Sequence, residues 1–549
     1  MTAMASLATR LSERFAAVTH GVDPELRPAT KPQFGHFQCN VAMRLAKQEG
    51  AKPRDIAQRI VDRIDIDDLC EPLEIAGPGF INIRLKNAVL AEEANRLLTD
   101  PAHGVPQDPD ARRTIIDYSS PNVAKQMHVG HLRSTIIGDC FTRVLRATGS
   151  TVKPQNHIGD WGTQFGQLVE QILEEDTDVS TLDLAGAEAL YKRASAHFRD
   201  DLEFADRARR RVVALQSGDE QTLAIWQQLI DISLAGFNAT YQRMNILLTD
   251  DDLAGESTYN EALPKVVEDL RTMGLAVEDH GALVVWVDGF DAPMIVQKRD
   301  GGFGYDATDL AALRHRVADL GAERLIYVTD ARQAQHFAMV FAVARKAGWL
   351  PDHVTAEHIG FGMVLGTDGK PFKTRDGSAV TLSSLLDAAE EIAAPPIALA
   401  AIKYADLSNG LNKDYVFDAE RMVQTTGDTG PYLQYAHART CAVMREAEAK
   451  GISLDTTVTV LDDPTEQALA LQLSRFGEAV VEVATTLQPH KLCTYLYELA
   501  QHYSAFYQNC PILKSEGAVR DSRLALCRAV RVVLATGLDM LGIEALERM

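Results

Sequence analysis

The chain has 549 residues, 46% of them apolar, and a formal net charge of −21. That length predicts about three to four domains, and the apolar share suits a globular protein with sizeable cores. No apolar run reaches the roughly 18 residues of a membrane helix. The acid surplus excludes a uniformly basic surface for nucleic acid, so any such contact needs local basic clusters. The seven cysteines form no C-x-x-C pair, which fits a reducing compartment, the cytoplasm, and no structural zinc.

Leu7, Leu11, Phe15 and Val18 recur at helical spacing, with Arg10 and Arg14 between them. A transit peptide has a similar look, but Glu13 and the lack of a cleavage pattern favour a first folded helix. A loop, Pro24–Gly35, is followed by FQCNVAMRLAKQ (Phe37–Gln48), which reads as helical with Val41, Ala42 and Leu45 on one face. Pro53–Ile64 reads as another helix, and Ile75–Leu85 as a turn and an alternating strand. Asp100–Asp110 holds three prolines and a glycine and is a linker. Residues 1–110 therefore form an α+β accessory domain with no chemistry visible in its residue types.

A short apolar strand, Thr114–Tyr118, opens the next domain and runs into SSPNVAKQMHVGHLRST, Ser119 to Thr135. An amphipathic helix follows, with Leu132, Ile136, Ile137, Phe141, Val144 and Leu145 as its stripe. A strand, a tight polar loop and a helix start make an anion site, with unpaired N–H groups and the positive dipole end facing the ligand. His128 and His131 flank Gly130 there, and the glycine leaves room for a ligand to approach the backbone. Two histidines at this spacing could instead be a metal pair or solvated surface groups; no further ligand grammar supports the metal. The tract Pro121, Asn122, Val123, Ala124, Lys125, Gln126, Met127, His128, Val129, Gly130, His131 resembles the HIGH signature of class I aminoacyl-tRNA synthetases, and in its longer form that of arginyl-tRNA synthetases. The resemblance implies a class I Rossmann-like nucleotide-binding catalytic domain, residues 111–390. It implies an accessory domain before it that touches the outer corner of the tRNA, and an all-α anticodon-binding domain after it, residues 391–549. It further implies that His128, Gly130 and His131 bind ATP, that His128, His131 and Lys125 are catalytic, and that Ser120 and Asn122 hold the amino and carboxylate end of arginine.

Thr151–Asn156 is a second strand, and HIGDWGTQFG (His157–Gly166) is a glycine-punctuated loop at the sheet's carboxyl edge, where open α/β folds bind ligands. We expect it to support the site. Residues 181–250 are helical and charged. They match a connective insertion of the family and are too short for an editing domain. Arg207, Arg209, Arg210 and Arg211 form a basic knot there, either a solvated helix face or a tRNA contact.

Further along, Ala282–Val287 and Pro293–Lys298 are strands, and FGYDATDLAAL (Phe303–Leu313) is helical. Tyr305 and Asp309 share one face at i,i+4. Asp306 reads as an ordinary acid favoured by the helix dipole, whereas Asp309 suits a planar guanidinium that can pair with both carboxylate oxygens. Leu325–Thr329 is a strand, and DARQAQHF opens a helix. The resemblance carries over Glu256, Tyr305, Asp309 and Gln333 as readers of the arginine side chain.

Ile359–Thr381 reads as a strand and then a loop with Lys370, Lys373 and Arg375. The family has its KMSKS loop here, holding the pyrophosphate end of ATP. In this chain the second lysine position falls on Thr374, and Lys125, just before the histidines, resembles a substitute. A solvated hairpin is the other reading of the loop. Residues 391–549 are helical, and TGPYLQYAHAR (Thr429–Arg439) matches the family. Arg520, Arg523, Arg528 and Arg531 fall in an arc of roughly 140°, a possible phosphate track. Tyr495, Tyr497, Tyr503, Phe506 and Tyr507 could stack bases or fill the core. The function implied is adenylation of L-arginine by ATP, with Mg²⁺ on the pyrophosphate, followed by transfer to the terminal adenosine of tRNA(Arg). The enzyme is expected to be a monomer without a resident metal or membrane contact. Arginine activation is expected to wait for bound tRNA. A small-molecule nucleotidyltransferase of the same fold would need no helical carboxyl domain, and a binding protein would have lost the histidines.

Overall fold

The computed structural model describes residues 6–299, 301–371 and 380–549. It divides into two compact units, one of Pro109–Gln424 with Leu541–Ile543, the other of Met1–Asp108, Thr425–Met540 and Glu544–Met549. In the first, four parallel strands form a sheet in the order Thr355–Phe361, Arg324–Asp330, Thr114–Asp117, Val152–Gln155. Ile115, Ile116, Leu325, Ile326 and Val328 are buried, as expected of parallel strands covered on both faces. The chain runs from the Thr114 strand outward through the helix Val129–Ala147 to the Val152 strand, then returns on the other side at Arg324. That reversal leaves a crevice outside the carboxyl ends of the Thr114 and Arg324 strands, where a nucleotide fold binds its ligand. The apolar stripe of the Val129 helix is buried from Leu132 to Leu145, so hydrophobic burial pins the helix whose start carries the histidines.

The insertion is three helices, Leu184–Asp200, Leu202–Gln216 and Glu220–Arg243. Its basic knot is paired within the protein. Arg207 donates to Glu170 at 2.8 Å, Arg211 to Glu170 at 3.3 Å, and Arg209 to Asp206 at 2.6 Å. These three arginines thus have acidic partners on this face. A three-stranded antiparallel sheet, Ala276–Asp279, Ala282–Val285 and Met294–Gln297, precedes the helix Tyr305–Ala318. By packing, residues 391–424 go with this unit, since the helix Pro395–Leu407 lies against the Val129 and Leu382–Glu390 helices.

The second unit combines an antiparallel sheet with helices from both ends of the chain. Its strand order is Leu26–Pro28, Phe37–Cys39, Phe80–Ile83, Glu74–Ala76. The helix expected over Phe37–Gln48 begins only at Val41. Phe37 and Cys39 alternate inward and pair with Ile83 and Ile81, a partner that a local reading of FQCNVAMRLAKQ does not contain. The carboxyl-terminal helices include Gly430–Ala449, His490–Asn509 and Gly517–Met540. Tyr495, Tyr503 and Phe506 are buried core residues. Of the four arginines in the arc, Arg531 is exposed and the other three have partners within the protein. Arg523 donates to Glu466 at 2.6 Å, Arg528 to the Leu454 and Thr456 carbonyls, and Arg520 to Asp521 at 2.8 Å. No helix among the described residues is long and apolar enough to cross a membrane.

Candidate active site

The signature loop leaves the Thr114 strand through Ser119, Ser120 and, later, Ala124, all with positive φ (72°, 49° and 58°). Three non-glycine residues in the left-handed region cost free energy that the surroundings must hold in place, and such strain gathers at functional sites. Here hydrogen bonds hold it. Ser119 Oγ contacts the Tyr241 hydroxyl at 2.8 Å, and its N–H donates to Ser134 Oγ at 2.9 Å. Ser120 N–H donates to Asn156 Oδ1 and its Oγ to Asp117 Oδ1, both at 3.0 Å. Ala124 N–H donates to Ser233 Oγ at 2.9 Å. Beside them Gly159 N–H donates to the Pro121 carbonyl and Val123 N–H to the Gly159 carbonyl, each at 3.1 Å. The His157–Gly166 loop thus braces the signature through its backbone, while the Asn122 side chain stays exposed.

His128 is the N-cap of the Val129 helix. The expected set of open backbone N–H groups is not there. Val129 N–H donates to the Val380 carbonyl at 2.9 Å, Gly130 N–H to His128 Nδ1 at 3.0 Å, and His131 N–H to the His128 carbonyl at 2.8 Å. His128 N–H donates to His131 Nδ1 at 3.1 Å. A Cβ on Gly130 would lie 2.7 Å from His128 Cε1, so the glycine makes room for the His128 imidazole. With both Nδ1 atoms accepting, each neutral ring carries its proton on Nε2. Burial lowers His131 to about 3, and the His128 ring beside it, centroids 4.0 Å apart, adds to the shift. Desolvation lowers His128 as well, with Lys125 in the same direction and Glu188 against it. At neutral pH the helix start therefore carries two neutral imidazoles with their protons on Nε2.

Lys125 lies with its Nζ 4.3 Å from the centre of the Tyr191 ring, a cation–π contact. Lys370 is exposed in a tight turn, where its carbonyl accepts Gly366 N–H at 2.8 Å. Lys373 and Arg375 lie outside the described residues. The exit of that loop is tied to the signature. Besides Val380 on Val129, Leu382 N–H donates to the Met127 carbonyl at 2.8 Å, and His128 and Thr381 form a bridge.

The other half of the site is acidic. Asp309, half-buried on the Tyr305 helix, accepts from His336 Nε2 at 2.6 Å and has His157 Nε2 at 3.9 Å. Asp306 lies 3.2 Å from His336 Nδ1 and accepts Ile295 N–H at 2.8 Å; it is more than a dipole-favoured acid. Burial works against the charged form of His336, yet the hydrogen bonds to Asp306 and Asp309 carry it up to about 9. Burial, then Asp160 and Asp309, push Glu256 up to about 7. Asp160 is buried and accepts from Ser257 N–H at 2.8 Å and Ser257 Oγ at 2.6 Å. A Cβ on Gly255 would sit 2.4 Å from Asp160, so only glycine lets the Glu256 segment close on this carboxylate. Tyr305 is 66% exposed, its ring edge-on to His336 at 5.1 Å. Gln333 is exposed in the short turn Ala331–Gln333 at the end of the Arg324 strand. The two halves share a buried link, for Asp117 takes Ser120 Oγ on one oxygen and Arg316, on the Asp309 helix, on the other at 2.7 Å.

The sequence reading missed His336, Asp160 and the Val380 strap. His336 stands one turn after Gln333, which is the one local hint. Among the described residues no group of three or more His, Cys, Asp or Glu side chains is arranged to hold a metal ion.

A family model described as "tRNA synthetases class I (R), catalytic domain" matches residues 93–395, one for an arginyl tRNA synthetase N-terminal domain residues 3–85, and a DALR anticodon-binding domain residues 433–549. The chain is 66% identical over 557 residues, all of both chains, to an arginine–tRNA ligase of Cutibacterium acnes. It is 46% identical to one of Frankia casuarinae, covering 96% of this chain and 95% of that one. Among solved structures, arginyl-tRNA synthetase of Plasmodium falciparum superposes with a TM-score of 0.84 at 27% identity over 100% of both chains, and that of Thermus thermophilus with 0.80 at 26% over 99% and 100%.

Proposed function

The chain belongs to the class I arginyl-tRNA synthetases and charges tRNA(Arg) with arginine at the expense of ATP, and on that premise we propose which of its residues do the work. The carrying observation is the pair of neutral imidazoles, His128 and His131, at the carboxyl edge of the sheet beside an acidic pocket.

The arginine carboxylate attacks the α-phosphorus of ATP in line, and the bond to pyrophosphate breaks. Negative charge grows on the phosphoryl oxygens, and the Nε2–H groups of His128 and His131 are fixed donors for it. Being neutral, they stabilise developing charge without binding every anion equally. Lys125 supplies the cation for the leaving pyrophosphate, with Lys370, Lys373 and Arg375 covering its outer end. Ser120 and Asn122 hold the amino and carboxylate end of arginine. Glu256, Asp309, Tyr305 and Gln333 read its side chain. The terminal ribose hydroxyl of tRNA then attacks the adenylate carbonyl and releases AMP. Mg²⁺ is not assigned protein ligands here; a hard cation of this kind is commonly held by substrate phosphates and water. The segment 1–110 contacts the tRNA outer corner and 425–549 its anticodon, where Tyr435 and Tyr507 are exposed with Arg439 against both rings, 4.7 and 5.2 Å from their centres. The enzyme works as a monomer in the cytoplasm.

ATP–pyrophosphate exchange with arginine, with and without tRNA(Arg), tests this reading. Exchange that needs both arginine and tRNA is expected. Exchange with another amino acid, or none, overturns it. Sedimentation at micromolar concentration tests the monomer.

A further inference from the structure

Both ring nitrogens of His336 face carboxylates. Nε2 is 2.6 Å from Asp309 Oδ2, and Nδ1 is 3.2 Å from Asp306 Oδ1. An ionised carboxylate only accepts hydrogen bonds, so each ring nitrogen must carry a proton and the ring is an imidazolium. Asp306 is itself fixed, because its Oδ2 takes the backbone N–H of Ile295 at 2.8 Å. The imidazolium is held edge-on by the rings of Tyr305 and Phe337, at 5.1 and 5.2 Å. A chain of charge-assisted bonds thus runs from the Met294–Gln297 strand through Asp306 and His336 to Asp309.

The consequence concerns what Asp309 can offer. Oδ2 is committed to His336. Among the described residues the partner recorded for Oδ1 is His157 Nε2, at 3.9 Å, beyond hydrogen-bond range. A guanidinium brought to this carboxylate meets one unoccupied oxygen, and would have to share the other with His336. The two-oxygen fork expected from the sequence would have to compete with His336 for Oδ2.

We propose that His336 is a positioning residue for side-chain selection: by occupying Oδ2 it aims Oδ1 of Asp309 at a single N–H of the arginine guanidinium, leaving a second N–H for Glu256. This rests on the assignment of Asp309 and Glu256 to the arginine pocket. Such a divided clamp favours arginine over lysine. A guanidinium carries N–H groups on three nitrogens spread over a plane and can span two separate carboxylates, whereas an ammonium has one nitrogen. The resident imidazolium also compensates part of the carboxylate charge that Asp160, Glu256, Asp306 and Asp309 bring together.

Steady-state aminoacylation with the full-length enzyme tests the proposal, using His336→Phe, His336→Gln and Asp309→Asn. Phenylalanine keeps a ring between Tyr305 and Phe337 and removes both donors. It should raise the arginine KM by roughly 10- to 100-fold, the scale of a lost charged hydrogen bond, while the ATP KM and kcat stay within about twofold. Glutamine keeps one donor and should recover part of the loss. An arginine KM within twofold of wild type in both His336 variants, while Asp309→Asn raises it, overturns the role of His336 and leaves the pocket standing. So does a rise in ATP KM or a fall in kcat as large as the change in arginine KM, since that marks general structural damage. A silent Asp309→Asn overturns the pocket assignment and the proposal with it.

Discussion

His131 Nδ1 accepts the backbone N–H of His128 at 3.1 Å, while His128 Nδ1 accepts the N–H of Gly130 at 3.0 Å. The two rings are locked by the backbone they cap, and both protons are directed to Nε2. On the proposed role, replacing His128 by alanine removes a donor that matters only as charge develops on phosphate. Adenylate formation should fall by about two to three decades, the usual cost of one such donor, with arginine and tRNA affinity little changed. Single-turnover pyrophosphate release, measured alongside equilibrium binding, separates the two. A rate within threefold of wild type would remove His128 from the mechanism.

Lys125 rests on the Tyr191 ring, in the helix that follows the site in the insertion. Its charge is close enough to depress both histidines. Lys370 instead stands exposed in a turn, where water screens its charge. Lys125→Ala should therefore reduce arginine activation by about 100-fold or more, and Lys370→Ala by less than about tenfold, given the usual weakness of exposed charges. Parallel exchange assays decide. The reverse order would return the main role to the loop.

What the sequence made legible was local. The strand, the polar loop and the helix start at Thr114–Thr135 sit in one contiguous stretch, and their pattern is that of one structural unit. Side chains that meet across long separations were not legible. Asp309 and His336 lie 27 positions apart, and nothing in either segment says that the second nitrogen of the imidazole will find Asp306. The same holds for the helix start, where Val380 takes the Val129 N–H from far downstream. Charge clusters were legible only in part, for a related reason. Arg207 and Arg211 read as a basic knot until Glu170, on another helix, is placed against them, and Arg523 and Arg528 read as a stripe until Glu466 and two carbonyls are. A one-dimensional reading sees charges and not their partners.

With Glu256 in the proposed arginine pocket, arginine binding should depend on pH with a definite sign. Burial and the neighbouring Asp160 and Asp309 raise it to about 7, so the free enzyme holds a proton there below pH 7. A guanidinium favours the ionised form. Arginine binding must then release that proton, and affinity rises with pH until Glu256 is already ionised. The arginine KM should fall by about tenfold from pH 6 to 8 and flatten above that. In the free enzyme the raised value means that the folded state binds more protons than the unfolded between about pH 4.5 and 7. This group's contribution to stability is therefore lost as pH rises through 7. Arginine should accordingly raise the melting temperature more at pH 8 than at pH 6. Glu256→Gln should remove the slope in KM while weakening binding throughout; a variant that keeps the slope would assign it to another group.

Tyr435 and Tyr507 are 39% and 44% exposed, and Arg439 covers both rings from between. Most other aromatics of the carboxyl-terminal helices are buried, Tyr495 and Tyr503 among them, so core packing accounts for those and not for this pair. Exposed rings backed by a guanidinium are a platform on which unpaired bases stack, at roughly 1 to 3 kcal/mol per base. Tyr435→Ala and Tyr507→Ala should each raise the tRNA(Arg) KM by about 5- to 100-fold and leave the KM for arginine and ATP unchanged. Arg439→Lys keeps the charge but cannot lie flat against both rings, so it should weaken tRNA binding less than either tyrosine change and more than an exposed lysine elsewhere. Filter binding at two salt concentrations distinguishes stacking from phosphate contact. Loss of a base stack leaves the salt slope unchanged, whereas loss of a phosphate contact lowers it by about one ion. A lowered slope in the tyrosine variants, or an unaltered tRNA KM, would remove the platform from anticodon recognition.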